Sequence, residues 1–122
     1  MKKLTFITGN AGKAKYLSDY FHTPIEHIKL DLQEIQSLDL KEVVEDKVKR
    51  AYEIIKSPVL VEDVSLTFGS LKGLPGPLIK WFLEALGNDG LCDLLNHSED
   101  RSAFAEVCFA ICDENGVKTF SG

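Results

Sequence analysis

Residues Pro58 to Phe82 read PVLVEDVSLTFGSLKGLPGPLIKWF. An apolar run, Val59-Leu60-Val61, meets two carboxylates, Glu62 and Asp63. The turn formers Gly69, Gly73, Pro75, Gly76 and Pro77 follow. An unpaired carboxylate at the end of a core strand is costly, so this pair calls for a cation. A divalent metal facing an anionic substrate is the chemistry that fits. A second acid is available in Glu34, and magnesium is typically held by one or two carboxylates plus substrate phosphates. Adjacent strand residues point to opposite faces. Only one of Glu62 and Asp63 therefore enters a given site, unless the strand ends there, as the following loop allows. The alternative is a solvated strand end.

The second candidate is Thr8-Gly9-Asn10-Ala11-Gly12-Lys13, a loop between an apolar strand and a helix. Its glycines let backbone approach a ligand, and the free N–H groups of the helix start point at an anion. Lys13 in the first turn opposes the helix dipole by roughly a few tenths of a kcal/mol, and becomes favourable beside a phosphate. The spacing is not that of a Walker A loop. A plain tight turn with a solvated lysine is the competing reading. Two further lysines border apolar faces. Lys47 shares a helical stripe with Val43 and Ile54, where a stem on the core and an ammonium in water would suffice. Lys80 sits within Leu78-Ile79-Lys80-Trp81-Phe82, and Trp81 and Phe82 read as core rather than as a base-stacking platform.

The elements that must position these residues follow from periodicity and breakers. Leu4–Thr8 reads as a buried strand and Ala11–Phe21 as a helix resting on Ala14, Tyr16, Leu17 and Phe21. Ile25–Leu32 is a second strand, with Ile28, Leu30 and Leu32 on one face, and Glu34–Ser37 is loop. Asp39 opens a helix with a capping-box pattern, Asp39 to Glu42. Leu40, Val43, Val44, Val48, Ala51, Tyr52 and Ile55 form its apolar stripe. A strand covers Val59–Val64. A helix covers Leu78–Leu86, with Pro77 at its start and Gly87 closing it, and a short one covers Asn88–Leu95. Ser102–Cys112 is a long strand, apolar on both faces and therefore central. Asp113–Gly116 is a hairpin turn and Val117–Phe120 the returning strand. The fold class is α/β, a mixed sheet flanked by helices. A returning strand at the last residue leaves an open edge. It reads as a truncated C-terminal end, either of a naturally short chain or of one originally longer.

At 122 residues, 44% hydrophobic and 27% charged, the chain has the profile of one soluble globular domain. No apolar run reaches membrane-span length, and the Lys2-Lys3 start is no signal peptide. The formal net charge of -5 argues against general nucleic-acid binding. Cys92, Cys108 and Cys112, odd in number and without a CxxC, read as reduced core thiols of a cytoplasmic protein.

TGNAGK at Thr8–Lys13, LQEIQS at Leu32–Ser37 and above all LVEDVSLTFGSLKGLPGPLIKWF at Leu60–Phe82 resemble one family. It is the inosine triphosphate pyrophosphatase family, which acts on noncanonical purine nucleoside triphosphates. SAFAEVCFAI at Ser102–Ile111 fits the strand that follows there. The resemblance implies a cytoplasmic, dimeric, magnesium-dependent hydrolase of nucleotide metabolism. Such an enzyme converts ITP, dITP and XTP to monophosphate and pyrophosphate. Carried over residue by residue, Thr8, Gly9, Asn10, Ala11, Gly12 and Lys13 contact the triphosphate, with Lys47 and Lys80 as further contacts and Val64 touching substrate through its backbone. Glu34 and Asp63 hold Mg2+, and Asp63 accepts the proton of the attacking water. Family members continue past this point with a glycine-phenylalanine-glycine loop and a Ser-His-Arg segment that line the purine pocket; nothing in residues 1–122 matches them. The implied domain is a single, incomplete one over 1–122, and the alternative is a nucleotide-binding module without turnover. Val64-Ser65 departs from relatives that carry small or hydroxyl residues after the aspartate.

Overall fold

The computed structural model describes residues 3–122; of the Lys2-Lys3 pair, Lys2 lies outside them. The elements in order are β1 (Thr5–Ile7), α1 (Ala11–Phe21), β2 (Glu26–Ile28), α2 (Leu40–Ile55), β3 (Val59–Phe68), β4 (Pro75–Gly76), α3 (Ile79–Asp93), β5 (Ala103–Asp113) and β6 (Gly116–Ser121). A 3-10 turn at Gly69–Leu71 separates β3 from β4. The strands form one mixed sheet in the order β2-β1-β3-β5-β6, with β4 pairing the far end of β3. β1 runs parallel to both its neighbours, while β5 runs antiparallel to β3 on one side and to β6 on the other. This is the α/β mixed sheet expected, with β5 central and β6 at an edge.

β3 is longer than the predicted Val59–Val64 because β5 accompanies it over its whole length, from Val59 opposite Cys112 to Phe68 opposite Ala103. Glu62 and Asp63 are therefore in mid-strand, not at its end. β2 is shorter than predicted. β1 offers it three residues, Thr5 to Ile7 opposite Glu26 to Ile28, and the ladder runs out. Leu30 and Leu32 then pack against the core from irregular chain, so their alternation reports burial rather than strand pairing.

The two faces of the sheet carry separate cores. Val59, Val61, Cys108, Ala110 and Cys112 meet Leu40, Val44, Val48 and Ala51 of α2 on one face. Val44 and Val48 are fully buried, each contributing on the order of 1.5 kcal/mol or more. On the other face Phe6 and Leu60 meet Ala14, with Leu17, Phe109 and Ile111 alongside. α1 rests on Ala14 and Leu17. The other two residues expected beneath it, Tyr16 and Phe21, are exposed, and Tyr16–Tyr20 and Tyr20–Phe21 make ring contacts on the outer surface. A third cluster joins Phe68 to Ile79, Leu91 and Leu95 of the α3 region, with Phe82 packed against it.

Other local readings need amendment. Asp39 caps α2 by accepting from Lys41 N at 3.0 Å, but Glu42 closes the box through a different residue. Ser37 Oγ accepts from Asp39 N at 3.0 Å and donates to Glu42 at 3.1 Å. Gly87 (φ 69°, ψ 177°) interrupts α3, giving the two helical segments expected, although Leu78 rather than Pro77 is the cap. Trp81 is 62% exposed, not core. Cys108 and Cys112 are buried thiols, whereas Cys92 is exposed, and all three are free. The hairpin turn is Glu114-Asn115, braced by Asn115 N donating to Asp113 Oδ1 at 2.8 Å.

Candidate active site

β1 pairs with β3 at Thr5–Val59 and Phe6–Leu60, and β4 pairs with it at Leu66 and Thr67. Between these contacts, from Val61 to Ser65, one edge of β3 has no neighbouring strand. The gap opens where the parallel strand β1 ends and α1 begins, a place at which α/β sheets bind ligands. A cavity of about 730 Å³ occupies it.

Each helix sends a lysine there. From the α1 side, Lys13 Nζ donates to Glu62 Oε1 at 2.6 Å. From the α2 side, Lys47 Nζ lies 3.2 Å from Glu34 Oε1 and donates to the Glu62 carbonyl at 3.1 Å. That carbonyl is on the unpaired edge of β3, so the lysine replaces a missing ladder bond. Lys47 does not simply snorkel into water: its side chain is 16% exposed and its ammonium is doubly engaged. Lys80, at the start of α3, is exposed and stands 5.3 Å from the Trp81 ring centroid.

Asp63 turns its carboxylate back along the edge, where Oδ1 accepts from Val64 N at 2.9 Å. Burial raises its pKa above the ordinary carboxylate value. The Val64 N–H and Lys47 oppose that rise, while the neighbouring charges of Glu34 and Glu62 add to it. A half-buried carboxylate crowded by two others favours a cation.

The α1 entrance is organised by short side-chain bonds. Asn10 N donates to Thr8 Oγ1 at 3.1 Å, and Lys13 N donates to Asn10 Oδ1 at 3.2 Å. Thr8 N donates to the Ile28 carbonyl at 2.9 Å, which ties the loop to β2.

Of the residues singled out in the sequence, Thr8, Gly9, Lys13, Glu34, Lys47, Asp63, Val64 and Lys80 all line this cavity. Asn10, Ala11 and Gly12 do not; Asn10 is the helix cap, and Ala11 and Gly12 are the first turn it caps. Lys29, Asp31 and Glu62 complete the charged lining. Lys29 and Asp31 were missed. Their signal was the alternation Lys29-Leu30-Asp31-Leu32, which puts both charges opposite the leucines.

The donor set for a cation is all oxygen. Glu34 and Asp63 share this cavity and an adjoining one of about 390 Å³ that Trp81 also borders. Among the described residues no three His, Cys, Asp or Glu side chains gather in a metal-holding group. Two carboxylates completed by a ligand's own phosphates is an arrangement that magnesium accepts. No helix among the described residues is long and apolar enough to cross a membrane.

The chain belongs to the Ham1 family, whose model matches residues 4–122. Inosine triphosphate pyrophosphatase 2 of Trypanosoma cruzi is 47% identical over 112 residues, covering 90% of this chain and 57% of the relative. Inosine triphosphate pyrophosphatase of Pyricularia oryzae is 51% identical over 110 residues, covering 88% and 58%. The chain thus spans a little over half the length of these relatives. A HAM1 protein from Coxiella burnetii shares the fold, with a TM-score of 0.81 at 20% identity over 100% of this chain and 70% of that one.

Proposed function

We propose that this chain carries the phosphate- and metal-binding part of a pyrophosphatase acting on noncanonical purine nucleoside triphosphates. The reaction is hydrolysis of ITP, dITP or XTP to the monophosphate and pyrophosphate, which clears them from the nucleotide pool. The observation that carries the reading is the meeting of Lys13, Lys47, Lys80, Glu34 and Asp63 around one gap in the sheet. The names of the relatives support the substrate class.

Phosphoanhydride hydrolysis is chiefly positioning and charge neutralisation. The α1 N-terminus supplies only about half a positive charge. Lys13, Lys47 and Lys80 supply the rest of the protein's share, and Gly9 lets backbone approach the phosphates. Asp63, held by the Val64 N–H, accepts a proton from water. The water oxygen bonds the α-phosphorus, the bond from that phosphorus to the bridging oxygen breaks, and pyrophosphate leaves. Glu34 and Asp63 would hold Mg2+, which when bound supplies charge neutralisation and Lewis acidity at the phosphate chain. A cytoplasmic homodimer is part of the same reading.

Phosphorus NMR of the protein with ITP and Mg2+, beside a parallel ATP sample, tests it. Pyrophosphate from ITP, and much less from ATP, is the expected result. Orthophosphate as first product overturns the assigned bond. ITP-dependent thermal stabilisation without any product replaces the reading with a binding module.

A further inference from the structure

Four lysines line the cavity, and three of them are engaged. Lys13 is on Glu62, Lys47 on Glu34, and Lys80 beside the Trp81 ring. Lys29 makes no ion pair among the described residues. Its stem is placed all the same. Lys29 follows the last residue of β2, and the Thr8–Ile28 bond brings that end beside Gly9. Its Cδ, Cγ and Cε lie 3.3, 3.5 and 3.6 Å from the point a Cβ on Gly9 would occupy. A side chain at Gly9 would press on that stem, so the glycine leaves a track for it across the mouth of the β1–α1 turn.

We infer that Lys29 is a further phosphate-chain contact of this site, its stem laid over Gly9 and its ammonium offered to the anion at the start of α1. The inference rests on the phosphate-site reading above. The charges favour it. Lys13 and Lys47 must exchange a carboxylate for a phosphate when the anion arrives, whereas Lys29 has none to give up. A charge-assisted hydrogen bond of this kind changes affinity by about tenfold or more.

The test is calorimetric titration of inorganic tripolyphosphate into the chain, with and without Mg2+. Wild type is compared with Lys29→Met, Lys29→Arg, Lys13→Met and, away from the cavity, Lys41→Met. Lys29→Met is expected to weaken binding about tenfold, Lys29→Arg to stay within about threefold, and Lys41→Met within about twofold. Melting temperatures should be unchanged, since Lys29 is exposed and unpaired. Gly9→Ala should cost less affinity in the Lys29→Met background than alone, because the stem it displaces no longer carries an ammonium. If Lys13→Met loses binding while Lys29→Met keeps it, Lys29 is only a surface lysine and the inference is wrong, though the site stands. Equal losses in Lys29→Met and Lys41→Met would reduce the effect to overall charge and also overturn it. No binding by wild type would remove the phosphate-site reading and this inference together.

Discussion

Glu62 and Asp63 are consecutive on β3 and belong to opposite faces of the sheet, yet both line one cavity. Leu60, two residues before Glu62, packs on the α1 face, and Val61, two before Asp63, on the α2 face. Their carboxylates can share a space only because β3 has no neighbour on one edge between Leu60 and Leu66. Glu62 occupies Lys13 there as an internal anion. Glu62→Gln should therefore bind tripolyphosphate in EDTA at least as tightly as wild type. The Lys13 side chain is half exposed, so stability should fall by less than about 1 kcal/mol. Titration and a urea melt check both; weaker binding would instead mean that Glu62 orients Lys13 for its ligand.

Lys47 holds a backbone acceptor as well as a carboxylate. Lys47→Met keeps the stem on α2 but strips the Glu62 carbonyl of its donor. A cost of about 1–3 kcal/mol is expected by denaturant unfolding, together with about tenfold weaker tripolyphosphate binding. Unchanged stability would show that water replaces the ammonium on that carbonyl.

Gly69 offers a change that separates fold from site. A Cβ there would collide with the carboxylate of Asp100 and the hydroxyl of Ser102, and the carboxylate is held by Ser102 N donating to Asp100 Oδ1 at 2.8 Å. Gly69→Ala should destabilise by roughly 1–3 kcal/mol while tripolyphosphate affinity holds, as read by thermal melts and titration.

Much of this was legible in advance where a residue's neighbours along the chain decide its state. The α2 stripe, the Gly87 break and the Asp113–Gly116 hairpin depend on local spacing, and the structure has them. Extents set by a distant partner were not legible. β3 runs to Phe68 because β5 lies beside it, and β2 stops at Ile28 because β1 is short. The site followed the same rule. The loop at Thr8–Lys13 and the pair Glu62-Asp63 announce themselves by residue type. Lys29 enters the cavity only through the Thr8–Ile28 bond and the bare Gly9, which are relations across the sheet. Aromatic residues misled in the other direction, since Tyr16, Phe21 and Trp81 fit apolar patterns yet lie on the surface.

Under the proposed reaction Asp63 sets stability against chemistry. Burial raises its pKa, so the native state binds this proton more tightly than the unfolded chain does. Stability is therefore lost as pH rises from the unfolded value toward the raised one, and the deficit persists at neutral pH. Asp63→Asn removes the charge and keeps the shape. The variant should melt at a higher temperature than wild type at pH 7 and lose that advantage near pH 3, where wild-type Asp63 is itself protonated. In turnover the same substitution should cost about 10²–10⁴-fold, the usual contribution of a general base. Wild-type kcat/KM should fall on the acid side as Asp63 takes up its proton. Scanning fluorimetry at the two pH values and pyrophosphate release from ITP across the pH range measure both sides. An Asp63→Asn variant that melts lower than wild type at pH 7 would mean that the Val64 N–H and Lys47 outweigh burial, and that Asp63 is a structural anion rather than a strained base.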